Sequence, residues 1–238
     1  MKKLAVLIAV LFFLCAVPSA AQGAWVNPYT GGVWNNPGSC LLDTMLRNRM
    51  NQRMLEKSIG RGAESTTPAA KPGKRTTYRR SENQGNAEKL AASLTDSPKD
   101  RQELVGFFGE ALMKYRAAAA GAGRADDVGH ALAFCLACSY GVANGCEVPD
   151  ATLDALAGQM DVALADMAGF RGASDAQRQT VAETFVMLGL FVAAGYEQSS
   201  DRAEARAAYV ALADSLFQSL TGLEARRVML TGSGMRLR

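Results

Sequence analysis

The chain has 238 residues, 26 of them Lys or Arg and 23 Asp or Glu, with a single histidine. That length suits one sizeable folded core with appendages rather than two. Charge is segregated: residues 22–89 carry 11 basic and 5 acidic side chains, residues 90–222 carry 9 and 17, and residues 223–238 carry 4 and 1. An acidic core speaks against nucleic acid as a partner, while a basic arm and tail suit self-docking or an anionic partner.

Residues 1–21 read as a cleavable export signal. Lys2 and Lys3 precede an uncharged run from Leu4 to Val17, and Pro18 and the small residues Ser19, Ala20 and Ala21 follow. The run is shorter than the ~20 residues a bilayer span needs. Leu14 before Cys15 argues against a lipoprotein signal. The expected location is therefore the periplasm or the exterior of a bacterium. Residues 22–60 form an arm: Trp25 and Trp34 each open a Trp-x-Asn-Pro or Trp-Asn-Asn-Pro turn, and Ser39 caps an amphipathic helix to about Ile59 with Leu42, Leu46, Met50 and Met54 on one face. These six residues are the expected interaction surface, although packing of the arm on its own core explains them more simply. Residues 61–86 lack apolar periodicity and read as a flexible basic linker able to touch a membrane peripherally.

Residues 87–222 read as a helical bundle. A short helix spans about Ala87–Leu94. Ser97 with Pro98 starts the next, with Leu104, Phe107, Phe108, Ala111, Leu112 and Tyr115 inward, and Gly121–Gly123 ends it. Asp126 or Asp127 caps an uncharged, central helix that stops at Asn144-Gly145. Pro149-Asp150 opens another, on which Asp150, Asp154 and Asp161 mark a solvated face. Ser174 and Gln177 form a capping box for a second central helix to about Gln198. Asp201 and Glu204 form a further box for a helix ended by Gly222, with Ala205, Ala208, Tyr209, Leu212, Leu216 and Leu220 inward. Gly129, Gly141, Gly189 and Gly195 each cost a helix ~1 kcal/mol against Ala, so they predict close helix contacts. Residues 223–238 are a small hairpin or a frayed end. The expected fold is all-α, mainly a five-helix bundle with two apolar central helices, preceded by the amphipathic helix and linker.

Cys40, Cys135, Cys138 and Cys146 remain after export, an even number that favours disulfides in an oxidising compartment. Three pairings are open. The helix exit at Asn144-Gly145 favours Cys138 with Cys146, leaving Cys135 for Cys40. A thiol redox pair or a zinc site with His130 is the weaker reading, because Cys135 and Cys138 sit inside a helix rather than at its N-terminus.

The segments Leu90–Asp96, Arg101–Leu104, Ala131–Phe134, Ser174–Ala176 and Ala194–Tyr196 resemble an uncharacterised domain-of-unknown-function family of exported bacterial helical proteins, over roughly residues 87–230. The resemblance implies a helical bundle and export, and no activity. Chemistry is sparse in the residues themselves. His130 with Asp126 and a cysteine or serine is the only route to a hydrolase, and a helix cap plus a satisfied buried histidine explains both. Glu110 and Glu183 are a candidate acid/base couple, but each can face water at a helix edge. The expectation is an exported interaction module without catalysis, metal or cofactor, whose partner is a protein or envelope component. The alternative is an apolar small ligand or lipid held in the bundle among Phe107, Phe108, Phe134, Phe185, Met187 and Phe191.

Overall fold

The computed structural model describes residues 76–81, 85–95 and 97–238. The expected signal, Trp25, Trp34, Cys40, Leu42, Leu46, Met50, Met54 and the linker as far as residue 75 lie outside the described residues.

Local signals set the helix ends. Helix α1 is Asn86–Leu94 and α2 is Pro98–Ala120, where the Ser97 hydroxyl accepts from Asp100 N and Pro98 fills the first helical position. Helix α3, Val128–Asn144, starts on Asp127, whose carboxylate accepts from Gly129 N and His130 N, and stops at Gly145 with φ 63. Helices α4, Asp150–Asp166, and α5, Ala168–Arg171, follow. The complete Ser174–Gln177 capping box opens α6, Asp175–Gln198. Helix α7, Ala203–Thr221, ends at Gly222 with φ 75. A single 3-10 turn, Ala225–Arg227, then leads into antiparallel strands β1, Val228–Thr231, and β2, Gly234–Leu237.

The described residues thus form an all-α bundle with one two-stranded sheet. Helices α3 and α6 pack on each other at the centre. Helices α4 and α7 flank α3, α1 and α2 pack beside α6, and the hairpin lies against α4. Helix α6 is apolar and long enough to cross a bilayer, but most of that stretch is buried inside the bundle, as a core helix requires. Phe108, Phe185, Met187 and Phe217 are fully buried, each worth ~1.5–3 kcal/mol relative to exposure.

The central glycines permit this closeness. A Cβ on Gly189 would lie 3.0 Å from the Cys135 Cα, and one on Gly195 would lie 2.0 Å from the Tyr209 ring. Gly141 has a different reason: its open flank admits the backbone oxygen of Cys146, 2.8 Å from a would-be Cβ, as the chain folds back after α3.

Four expectations change. Residues 76–81 are not linker but an extended strap: Val128 N donates to Thr76 O and Tyr78 N to Asp126 O, both at 3.1 Å, and Tyr78 is buried. Asp161 does not mark a solvated face, because Thr76 and Arg124 bind its carboxylate inside the molecule. The residue before α7 is Arg202, with no side-chain cap, so Asp201 and Glu204 do not form a capping box. The buried stripe of α7 includes Ala213 and Phe217 with Tyr209 and Leu216, while Ala205, Leu212 and Leu220 are only half-buried. The tail is a hairpin, its register pairing Met229 with Arg236 and Leu230 with Met235.

Candidate functional site

The strap crosses the N-terminal ends of α3 and α6, and most of the buried polar side chains gather beneath it. Two clusters result. In the first, Thr76 Oγ1 donates to Asp161 Oδ1 at 2.8 Å, and Arg124 Nη1 donates to Asp127 Oδ2 at 2.8 Å and to Asp161 Oδ2 at 3.0 Å. All four residues are buried. Two carboxylates therefore share one guanidinium, and the amides at the start of α3 supply further positive potential to Asp127. Burial, and then the Asp127 charge, push Asp161 up to about 6 despite its bonds to Thr76 and Arg124.

The second cluster centres on Glu183. Asn86 Nδ2 donates to it at 2.6 Å and Gln179 Nε2 at 2.8 Å, and Arg116 pairs with it closely. The Gln179 amide also brackets the strap. Its Oε1 accepts from Ser81 N and its Nε2 donates to Ser81 O, each at 2.9 Å, so a side-chain amide substitutes for a neighbouring strand. Glu183 thus ties α2, α1 and the strap to α6. Its expected place at a wet helix edge is wrong: the carboxylate is buried, whereas Glu110 is exposed in an i,i+4 pair with Lys114 at 2.6 Å.

Between the clusters, His130 Nδ1 lies 2.7 Å from the Tyr115 hydroxyl, and both residues are buried. Burial, and then Arg124, lower the His130 pKa, which favours a neutral imidazole. Burial likewise raises the pKa of Tyr115 and of Tyr78. Asp126 is half-buried, with Oδ1 enclosed and without a hydrogen-bond partner among the described residues. The arrangement immobilises charge and ties segments together, and it places the imidazole where solvent scarcely reaches.

Cys135, Cys138 and Cys146 are free thiols, so the expected Cys138–Cys146 bridge is not formed. Cys138 faces Gly189 on α6, and Cys146 emerges exposed past the end of α3. Cys135, expected to join Cys40, is sealed in the α3–α6 contact. Burial pushes Cys138 up to about 12 and Cys135 higher still, the opposite of an activated thiol. Among the described residues, no three His, Cys, Asp or Glu side chains are arranged to hold a metal.

The phenylalanines named for a ligand cavity are divided. Phe108, Phe185 and Phe191 are buried with Met187, with Phe108 and Phe191 ring centroids 6.4 Å apart, while Phe107 and Phe134 lie at the border of the core.

Sequence reasoning missed Thr76, Tyr78, Arg116, Arg124 and Gln179. One signal was present: Gln179, Thr180, Glu183 and Thr184 place polar side chains one turn apart on a helix otherwise apolar enough for the core. No curated protein and no solved structure matches the chain. The model of a family of unknown function, DUF6683, matches residues 1–238, and the chain belongs to that family.

Proposed function

We propose that the chain is an exported helical interaction module, without catalysis of its own, whose working surface lies outside the buried polar seam. One observation carries this reading: His130, Glu183 and Asp161, at the centre of the seam, are each engaged by other parts of the same chain. His130 meets Tyr115, Glu183 meets Asn86, Arg116 and Gln179, and Asp161 meets Thr76 and Arg124. Groups bound this way hold the fold, and a substrate would have to compete with these partners. Export is supported by the Lys2-Lys3 start, the Leu4–Val17 run and the small residues before Gln22.

Native mass spectrometry of the chain recovered from its own cells tests both parts. The expected result is a mature chain beginning near Gln22 that carries a second macromolecule or phospholipid. A full-length cytoplasmic chain would overturn export. A single apolar molecule or metal released only on unfolding would overturn the module reading.

A further inference from the structure

The C-terminal hairpin reverses the charge of the domain it is attached to. Residues 90–222 carry 9 basic and 17 acidic side chains, but residues 223–238 carry four arginines and one acid. That acid, Glu224, is taken up by Arg226 at 2.8 Å, and the nearby Asp214 accepts from Ala225 N.

The strand register sorts the rest onto two faces. Side chains alternate along a strand, so buried Val228 and Met235 turn toward the bundle. Met229 pairs with Arg236, and Arg238 N donates to Arg227 O one step further along. Met229, Arg236 and Arg238 therefore share the outer face, Arg236 half-buried and Arg238 exposed, and exposed Arg227 adjoins it from the 3-10 turn. Met229 is 41% exposed at its middle.

The hairpin is also rigidly mounted. Met235 N donates to Gln159 Oε1 at 2.7 Å and Gln159 Nε2 donates to Met235 O at 3.2 Å, which closes the β2 edge onto α4. Gly234 is needed there, since a Cβ would lie 2.4 Å from Gln159 Oε1. Arg238 Nε donates to Val228 O at 3.1 Å and holds part of the β1 edge.

We propose that this outer face docks on an anionic lipid surface, with the guanidinium groups on headgroup phosphates and Met229 seated at the acyl boundary. The inference rests on the module reading and names one of its partners. Charge complementarity selects the occupant and its orientation. Guanidinium forks match phosphate oxygens, an exposed apolar side chain amid basic ones suits the headgroup boundary, and the acidic bundle is repelled from the same surface, leaving the hairpin end foremost. Contact through this face differs from contact through the basic residues before position 81.

Flotation of the full chain with vesicles tests it. Binding is expected to vesicles of phosphatidylcholine containing phosphatidylglycerol, not to phosphatidylcholine alone, and to weaken with salt. Each basic side chain near such a surface contributes about fivefold in affinity, so Arg227→Gln/Arg236→Gln/Arg238→Gln should weaken binding by at least about tenfold. The corresponding triple Lys variant should restore most of it, and Met229→Ser should weaken it several-fold, with helicity unchanged in each. Arg79→Gln/Arg80→Gln should leave it nearly intact.

Failure of the native chain to float, or undiminished binding by the Gln variant, would overturn the proposal. So would loss of binding only in the Arg79/Arg80 variant, or equal binding to a soluble polyanion and to vesicles. Recovery of a protein partner by native mass spectrometry without vesicle binding would sink the lipid inference while leaving the module reading in place.

Discussion

Asp161 occupies the space that a side chain at position 129 would need: a Cβ on Gly129 would lie 2.0 Å from Asp161 Oδ1 and 3.1 Å from its backbone nitrogen. The carboxylate cannot simply swing aside, because Thr76 and Arg124 hold it. Gly129→Ala should therefore destabilise the protein by ~1–3 kcal/mol despite alanine's better helix propensity. Gly106 and Gly109 on α2 have no such neighbour, so Gly→Ala there should stabilise by ~0.5–1 kcal/mol. Urea unfolding of the three variants checks the contrast. Equal shifts of the same sign would contradict it.

Gln179→Ala should loosen the strap more than the bundle. It removes three bonds to Ser81 and one to Glu183, a loss of ~1–3 kcal/mol for each buried group left unpaired. Brief trypsin treatment should then cut after Arg79 and Arg80 several-fold faster than in the native chain, with α2–α7 left intact. An unchanged rate would mean that the Gln179 bracket does not hold the strap.

Asp161 and His130 give pH dependences of opposite sign. Asp161 has a raised folded pKa, so its contribution is full below the ordinary carboxylate value and is lost as pH rises toward about 6. His130 has a lowered folded pKa, so its contribution is present above the ordinary value of 6.5 and is lost as pH falls. Urea midpoints measured between pH 4 and 7 should show Asp161→Asn gaining relative to the native chain as pH rises, and His130→Gln gaining as pH falls. The same trend in both variants would refute one of the two environments.

Alkylation should separate the three described thiols. Cys146 is exposed, Cys138 is half-buried and Cys135 is sealed in the α3–α6 contact, and burial keeps the Cys135 and Cys138 thiols protonated. Iodoacetamide applied to the reduced native chain should label Cys146 first, Cys138 much more slowly, and Cys135 only as denaturant is added. Early labelling of Cys135 would show that the central helices part readily.

Legibility followed range. The Asp127 cap, the Ser174–Gln177 box and the stops at Gly145 and Gly222 are written within a few residues and could be read directly. So could the buried character of α3 and α6, which follows from the absence of charge along one and the apolar run of the other. Asp161 could not be read, because its partner Thr76 is 85 residues away and an aspartate at helical spacing looks the same whether it faces water or a buried arginine. Asp201 with Glu204 has the spacing of a capping box, yet the backbone turns one residue later, at Arg202. The strap was hidden for a related reason: Thr76 to Ser81 has no apolar period of its own and takes its order from α3 and α6.

The most direct test of whether the polar seam holds the fold rather than doing chemistry is the His130→Gln chain, which keeps a hydrogen-bonding group near the Tyr115 hydroxyl. Its affinity for the partner recovered with the native chain should stay within about threefold, a change of under 1 kcal/mol, with helicity unchanged. A loss of several orders of magnitude at unchanged helicity would contradict the structural role and make His130 a functional group.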